Sequence, residues 1–505
     1  MTRPALLAVL LALPLSAASA QDILTTDGGR TGANLAYAIH DLSAGRPFLI
    51  LTSTQRALIP LSILDGKDTR FLKVGLDIPD LNLVGTADAL GKATINLPVP
   101  NDTSLHGLGL LVQAFTYPGA GTFFREVSDV SVVAIDQGGA WVAQKGFLQA
   151  ARAFANTIPL GDGVTLYAGG GSGGLLGLTS HKSSELFDEA SRTTTKGPDL
   201  TIEKAVNTLT ELKDGTWLLA GGVDVLNDPQ KKCDRFDPVT RTFKATALMA
   251  EPRMGHTATL LPDGKVLVAG GLSDLNNQLA ALGSALKTTE IYDPVADKWT
   301  KGPDMSEPRA GHLAHVLPDG RIMLFGGVTW TLVIIVKVPA FTKSCDIYDP
   351  KTNKITAGTA MLTDRALFVA QELTDGRLLV AGGASGSITN GGAPTDLAEV
   401  YDPQTGKWTA TGKLATARGL AVWERRPDGK VAVHGGAGGS LLSPVAVSSC
   451  ELWDPKAGTW SALPGLQATR AAPSLLRLSS GGSAILGGGS GSSGQALTTW
   501  ELFLP

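Results

Sequence analysis

RMGHTATLLPDGKVLVAGG at residues 253–271, followed by EIYDPVADKW at 290–299, is the stretch from which the fold of this chain can be read. Thr257 to Leu261 reads as a short strand, Asp263-Gly264 as the turn of a tight hairpin, and Lys265 to Ala269 as its second strand. Gly270-Gly271 closes that strand, where backbones crowd or φ turns positive. Glu290 to Tyr292 forms a third strand and the residues around Trp299 a fourth. A single four-stranded antiparallel sheet of this kind cannot bury its apolar faces alone.

The pattern recurs along the chain, which decides the architecture. Gly pairs fall at 169–170, 221–222, 270–271, 326–327, 382–383, 435–436 and 487–488. Seventeen residues before each pair stands a base: Arg152, Lys204, Arg253, Arg309, Arg365, Arg418 and Arg470. A turn Gly sits six residues before each pair, after Asp in six repeats and after Ser480 in the last. Each repeat then supplies an acid, in order Glu185, Asp234, Glu290, Asp346, Glu399, Glu451 and Glu501. Asp-Pro and a later aromatic, such as Trp299, Trp408 or Trp460, usually follow. Seven sheets of roughly 50 residues each are expected to pack radially around an axis.

The last repeat ends at Pro505, after its third strand. Upstream, Asp136 to Trp141 followed by Arg152 mimics Asp402 to Trp408 followed by Arg418. The strand around Trp141 is therefore expected to complete the seventh sheet. Residues 21–135 lack the repeat but show strand-like segments at Asn34–Ile39, Pro47–Thr52, Arg70–Gly75, Lys92–Leu97, Gly107–Thr116 and Val127–Ile135. Turn signals such as Asp65-Gly66 and Pro118-Gly119 separate them, a pattern that suggests a small immunoglobulin-like β-sandwich.

The Gly pair, the aromatic-Asp-Pro and the later Trp resemble the kelch repeat, and Arg253/His256 and Arg309/His312 resemble the variant in galactose-oxidase-like propellers. The resemblance implies an all-β chain: a seven-bladed kelch-type β-propeller over 136–505, preceded by the sandwich at 21–135. For the oxidases it also implies copper held by histidines and tyrosines, with a Tyr cross-linked to Cys. None of the seven histidines here follows a tyrosine, so the Tyr-His pair of that family is missing and its activity does not carry over. No metal or cofactor is expected.

Residues 1–20 have the form of a signal peptide: Arg3, an apolar run from Ala5 to Leu15, and Ala18-Ser19-Ala20 as the cleavage site. The expected location is secreted or periplasmic. The apolar run Val328 to Val336 is too short to cross a bilayer, so no membrane span is expected. With 43 basic and 46 acidic side chains there is no electrostatic footprint for nucleic acid.

The repeated bases and acids fit either a ring of substrate-binding arginines or repeated ion pairs that hold the sheets, and their presence in every repeat favours ion pairs. His256, His312 and His315 fall on first strands of adjacent repeats and are candidate binding residues. The segment Val328 to Phe341, with Trp330 and Lys337, is either a docking patch or a lengthened hairpin. Leu275 to Leu286 has the pattern of a short amphipathic helix, and the Gly/Ser-rich 171–177 and 489–494 read as flexible connections. Cys233, Cys345 and Cys450 precede the acid in alternate repeats, too far apart for a disulfide, and read as small core residues. The expectation is a monomeric, non-catalytic scaffold that binds a carbohydrate or a protein. The alternative is a sugar-processing isomerase, lyase or atypical copper oxidase.

Overall fold

Each Asp-Gly turn folds its two strands together by local chemistry. Asp263 accepts a hydrogen bond from the Lys265 N–H (3.1 Å), and Gly264 takes a φ of +90°. Thr257–Leu260 thereby pairs antiparallel with Val266–Ala269. Thr289–Asp293 and Lys298–Lys301 add the third and fourth strands in sequence order. Asp293 makes the last turn by accepting from the N–H groups of Val295 and Ala296 (3.0 and 3.1 Å).

This computed structural model describes residues 139–504 apart from 145–147, 175–176, 276–280, 335, 389–391, 441–442 and 479–481. Before 139 it describes 24–27, 34–39, 47–53, 56–60, 71–74, 83–89, 92–98, 108–116 and 131–135. The signal-peptide reading, the turns Asp65-Gly66, Pro118-Gly119 and Ser480-Gly481, residues 136–138, His40 and His106 lie outside the described residues.

Among the described residues from 139 onward there are seven four-stranded antiparallel sheets. The first six begin at Asn156, Thr208, Thr257, Leu313, Val369 and Val422, each with its four strands in chain order; in the first, fourth, fifth and sixth a separate two-stranded hairpin comes between the second and third strands. The seventh joins Ser474–Arg477, Ser483–Leu486 and Trp500–Phe503 to Trp141–Ala143, in the register Trp141 to Phe503 and Ala143 to Glu501. First strands lie against one another between the second and third, third and fourth, fifth and sixth, and sixth and seventh sheets, and Asn156–Pro159 of the first sheet contacts Ser474–Arg477 of the seventh.

In the third, fifth and sixth sheets a Trp on the last strand ties the sheet to the connection leading into it. Trp299 packs on Tyr292 (ring centroids 4.9 Å apart) and donates from Nε1 to the Ala247 carbonyl of that connection (2.9 Å). Trp408 and Trp460 do the same toward Thr359 and Gly412. In this way the large apolar side chain that fills the gap also spends its one donor across it.

Before residue 139 the described strands form a three-stranded sheet (Leu24–Asp27, Asn34–Ile39, Ala93–Pro98) and a four-stranded one. The four-stranded sheet runs in the order Leu83–Thr86, Pro47–Ser53, Leu108–Thr116, Ser131–Ile135. Arg56–Pro60 pairs with Phe71–Val74. Leu24–Asp27, Arg56–Pro60 and Leu83–Thr86 are strands the sequence patterning missed, being short and without clear alternation.

One loop expectation needs correction. The Gly/Ser-rich segments are ordered hairpins, Gly171–Gly174 with Gly177–Ser180 and Gly489–Ser490 with Gln495–Ala496, because backbone pairing needs no side chains. In the segment 275–286 the helical positions are Ala281 and Leu282, with 276–280 outside the described residues. No helix among the described residues is long and apolar enough to cross a membrane.

Deleting residues 137–150 removes the partner of Trp500–Phe503 and opens that edge. The shortened chain is expected to elute as aggregates in size-exclusion chromatography and to lose its cooperative melt; a monodisperse, cooperatively melting product would contradict this.

Candidate functional site

The Gly pairs, the bases and the acids converge at one end of the sheets. Arg309 is fully buried, and its guanidinium donates to the Gly326 and Ser344 carbonyls (3.1 and 3.0 Å) and to Asp346 (3.2 Å). Arg152, Arg253, Arg365, Arg418 and Arg470 repeat this set with Glu185, Glu290, Glu399, Glu451 and Glu501 of their own repeats. Each of these five glutamates also accepts from two backbone N–H groups of the preceding connection, as Glu451 does from Ala415 and Thr416. The charges are therefore ion pairs inside the wall and offer nothing to a substrate.

Lys204 departs from the set. Its amine donates to the Lys232 carbonyl (2.6 Å) and stays 4.0 Å from Asp234. A point-charge ammonium lacks the fork that lets Arg reach carbonyls and carboxylate together. Burial lowers the Lys204 pKa and raises that of Asp234.

The Arg backbone carries a second set of bonds. The second Gly N–H of one repeat donates to the Arg carbonyl of the next, as Gly271 does to Arg309 (2.8 Å) and Gly488 to Arg152 (2.8 Å). A Cβ on Gly270 would collide with that Arg309 carbonyl, and φ there is +64°. Two residues after each base the chain turns left-handed: Phe154, Val206, Gly255, Gly311, Leu367, Leu420 and Ala472 all have φ between +47° and +62°. Successive backbone bonds link Gly311 to Gly255, Leu367 to Gly311, Leu420 to Leu367, Ala472 to Leu420 and Phe154 to Ala472. Side chains at this end form one apolar cluster of small and aliphatic residues drawn from every repeat. An apolar cap of this kind brings no acids and bases together.

The candidate histidines do not open onto it. His256 and His312 are 1% and 0% exposed and bond through Nε2 to Thr208 and Thr257 of the preceding sheet (3.0 and 3.1 Å). Burial pulls His256 down to about 3 and His315 to about 4, so both are neutral at ordinary pH. All three candidate histidines are buried, and His256 and His312 sit in the walls between neighbouring sheets. Among the described residues, no three His, Cys, Asp or Glu side chains gather in a way that could hold a metal ion.

What does open onto solvent is the hairpin Val328–Val333 with Val336–Phe341. Its base is braced: Trp330 Nε1 donates to the Ala285 carbonyl (2.9 Å) and Lys337 Nζ to that of Gly283 (2.7 Å), with the ammonium 4.1 Å from the indole centroid. Trp330 and Lys337, expected as contact residues, are thus occupied by the neighbouring loop. The register puts Thr331, Val333, Val336 and Val338 on one exposed face. At the apex Ile334 is 89% exposed at φ +58°.

The family described as Kelch motif matches residues 253–306, the stretch that begins with Arg253 and ends after Trp299. This chain carries the kelch motif. Galactose oxidase of Gibberella zeae is 26% identical over 150 residues, 29% of this chain and 21% of that protein. The F-box/kelch-repeat protein SKIP30 of Arabidopsis thaliana is 31% identical over 180 residues, 34% of this chain and 48% of that one. The chain thus spans about a fifth of the oxidase and under half of the plant protein. A fungal alcohol oxidase solved in complex with copper shares the fold with a TM-score of 0.53 at 17% identity, over 73% of this chain and 76% of that one. Among the described residues here, His256 and His312 are bonded to threonines, and His434 to Glu424.

His434 and Glu424 were missed in the sequence, although a signal existed. Before the Gly pair the other repeats carry Ala168, Ala220, Ala269, Phe325, Ala381 and Leu486, so His434 is a polar residue at an apolar repeat position.

Arg309→Met leaves Asp346 buried without its partner and is expected to cost ~3–5 kcal/mol in urea unfolding, with most of it regained on adding Asp346→Leu. Cys233, Cys345 and Cys450 are buried and unpaired, and burial pushes the first two thiols up to about 11 and 12. Thiol titration at pH 8 is expected to find three reactive groups in denaturant and none in the native protein.

Proposed function

We propose that the seven sheets are the blades of one closed seven-bladed propeller, preceded by an immunoglobulin-like accessory domain and exported after cleavage following Ala20. In this reading the propeller is a non-catalytic scaffold that docks a protein through the hairpin 328–341. The contact of Asn156–Pro159 with Ser474–Arg477 supports closure.

The observation that carries the docking reading is the outward face of Thr331, Val333, Val336 and Val338 with Ile334 at its tip. A left-handed backbone at a β-branched residue costs ~1–3 kcal/mol, a strain that Asn or Gly would avoid. Keeping Ile there makes sense if its side chain is used. The occupant that fits is a protein with an apolar recess, because the face presents no charge: the nearest one, Lys337, is turned back onto Gly283. The only indole near the site, Trp330, has its face covered and its N–H engaged, which disfavours sugar stacking. An apex without exposed aromatics or a basic collar likewise disfavours a lipid surface.

A photo-reactive side chain at position 336 is expected to capture one discrete protein in the native compartment, whereas the same group at exposed Val295 captures none. Capture should vanish when Val333→Asp and Val338→Asp are added, with stability unchanged to within ~0.5 kcal/mol. Equal capture at both positions, or capture of lipid or a second copy only, would refute protein docking here.

A further inference from the structure

Between the sixth and seventh sheets the packing is not purely apolar. His434, fully buried at the end of the second strand of the sixth sheet, places Nε2 3.1 Å from Glu424 Oε1 on the first strand. The other Glu424 oxygen accepts from Ser483 of the seventh sheet (2.5 Å). Across the seam, Trp141 of the closing strand meets the imidazole edge-on, with centroids 5.1 Å apart. Trp141, Cys450, Ile485 and Phe503 complete an apolar surround. The position of Glu424 in the other repeats is held by Ile158, Thr210, Thr259, His315, Gln371 and Leu476, so no other repeat places an acid there.

We propose that the His434–Glu424 pair is a pH-sensitive latch on this seam, holding the closing strand tightly in mildly acidic solution and loosening it in alkaline solution. The groups that face it can be named strand by strand. Arg426, just past the end of the first strand, and Arg477 on the seventh sheet each stand 4.0 Å from Glu424. Cys450 is opposite His434 on the third strand. The Arg470–Glu501 pair of the seventh sheet is closed on itself, and Arg418–Glu451 involves the strand neighbour on the opposite face.

The direction of the effect follows from the two proton affinities. Burial works against a charged His434, but Cys450 beside it and Glu424 in contact outweigh it and raise the imidazole from 6.5 to about 8. Burial would raise Glu424 too, yet its bonds to His434 and Ser483 hold it well below the usual carboxylate range, at about 2. A raised His stabilises the folded seam fully below pH 6.5, and this is lost as pH climbs through 8. A depressed Glu contributes above pH 4.5, and this is lost only as pH falls toward 2. The seam is therefore tightest between about pH 4.5 and 6.5. Above pH 8 a neutral imidazole leaves the buried carboxylate with no cation in contact, only the Ser483 hydroxyl and the two arginines 4.0 Å away.

Hydrogen exchange of the full chain tests this. Uptake in the peptide holding Trp141–Ala143, divided by uptake in the one holding Lys298–Lys301, cancels the intrinsic pH dependence of exchange. The ratio is expected to rise about 10- to 30-fold from pH 6 to 9, the upper figure being what 1.5 units of proton affinity allow. In Glu424→Gln and His434→Gln the ratio should stay flat. His434→Phe, which copies Phe325 of the fourth repeat, serves the same purpose if the amide variants fold poorly. A flat ratio in the wild type, or a pH response retained in the variants, overturns the latch.

Discussion

A guanidinium shut away from water must find an acceptor for nearly every N–H it carries, and that demand organises this chain. Each repeat supplies the same acceptors: the carbonyl of its first paired Gly, a carbonyl just before its third strand, and an acid. Meeting the demand draws together the ends of three strands and the connection leading into the first. Because the Arg carbonyl also accepts from the Gly pair of the preceding repeat, satisfying one residue aligns two sheets. Buried charge pairs of this kind add little net stability over apolar packing, but misplacing them is costly, so they select one arrangement. Where Lys204 replaces Arg the set is incomplete: the ammonium reaches one carbonyl and stays 4.0 Å from Asp234.

The same demand shapes the face on which function rests. Anchoring the Arg side chain inward forces the following residues through a left-handed turn, and their side chains then close the end of the structure with apolar groups. A cap of that kind is poor ground for acid–base chemistry. Variation is left to the connections between second and third strands, which in five of the seven repeats are hairpins of differing length. The hairpin 328–341 is distinguished by a face of valines and a strained apex, held upright by the Trp330–Lys337 brace. The seam between sixth and seventh sheets is distinguished for the opposite reason, a polar pair where apolar residues would pack as well.

Much of the fold was legible because it is written seven times. Hairpin turns and strand starts follow from local chemistry, and their constant spacing removes ambiguity. The site was far less so. Trp330 drew attention as a large aromatic in a loop, yet a neighbouring carbonyl claims its N–H. His256 and His312 suggested ligands, yet threonines one sheet away hold them.

From its sequence alone this chain determined the order of its strands, the turns between them and the recurrence of charge, because these depend on contacts within a few residues of one another. Which side chains meet solvent, which are braced and which titrate was decided by the tertiary structure. Trp330 meets Ala285 from 45 residues away, and Trp141 reaches His434 across nearly 300. Burial and partnership over such distances arise only when separate sheets pack, and no local pattern encodes them.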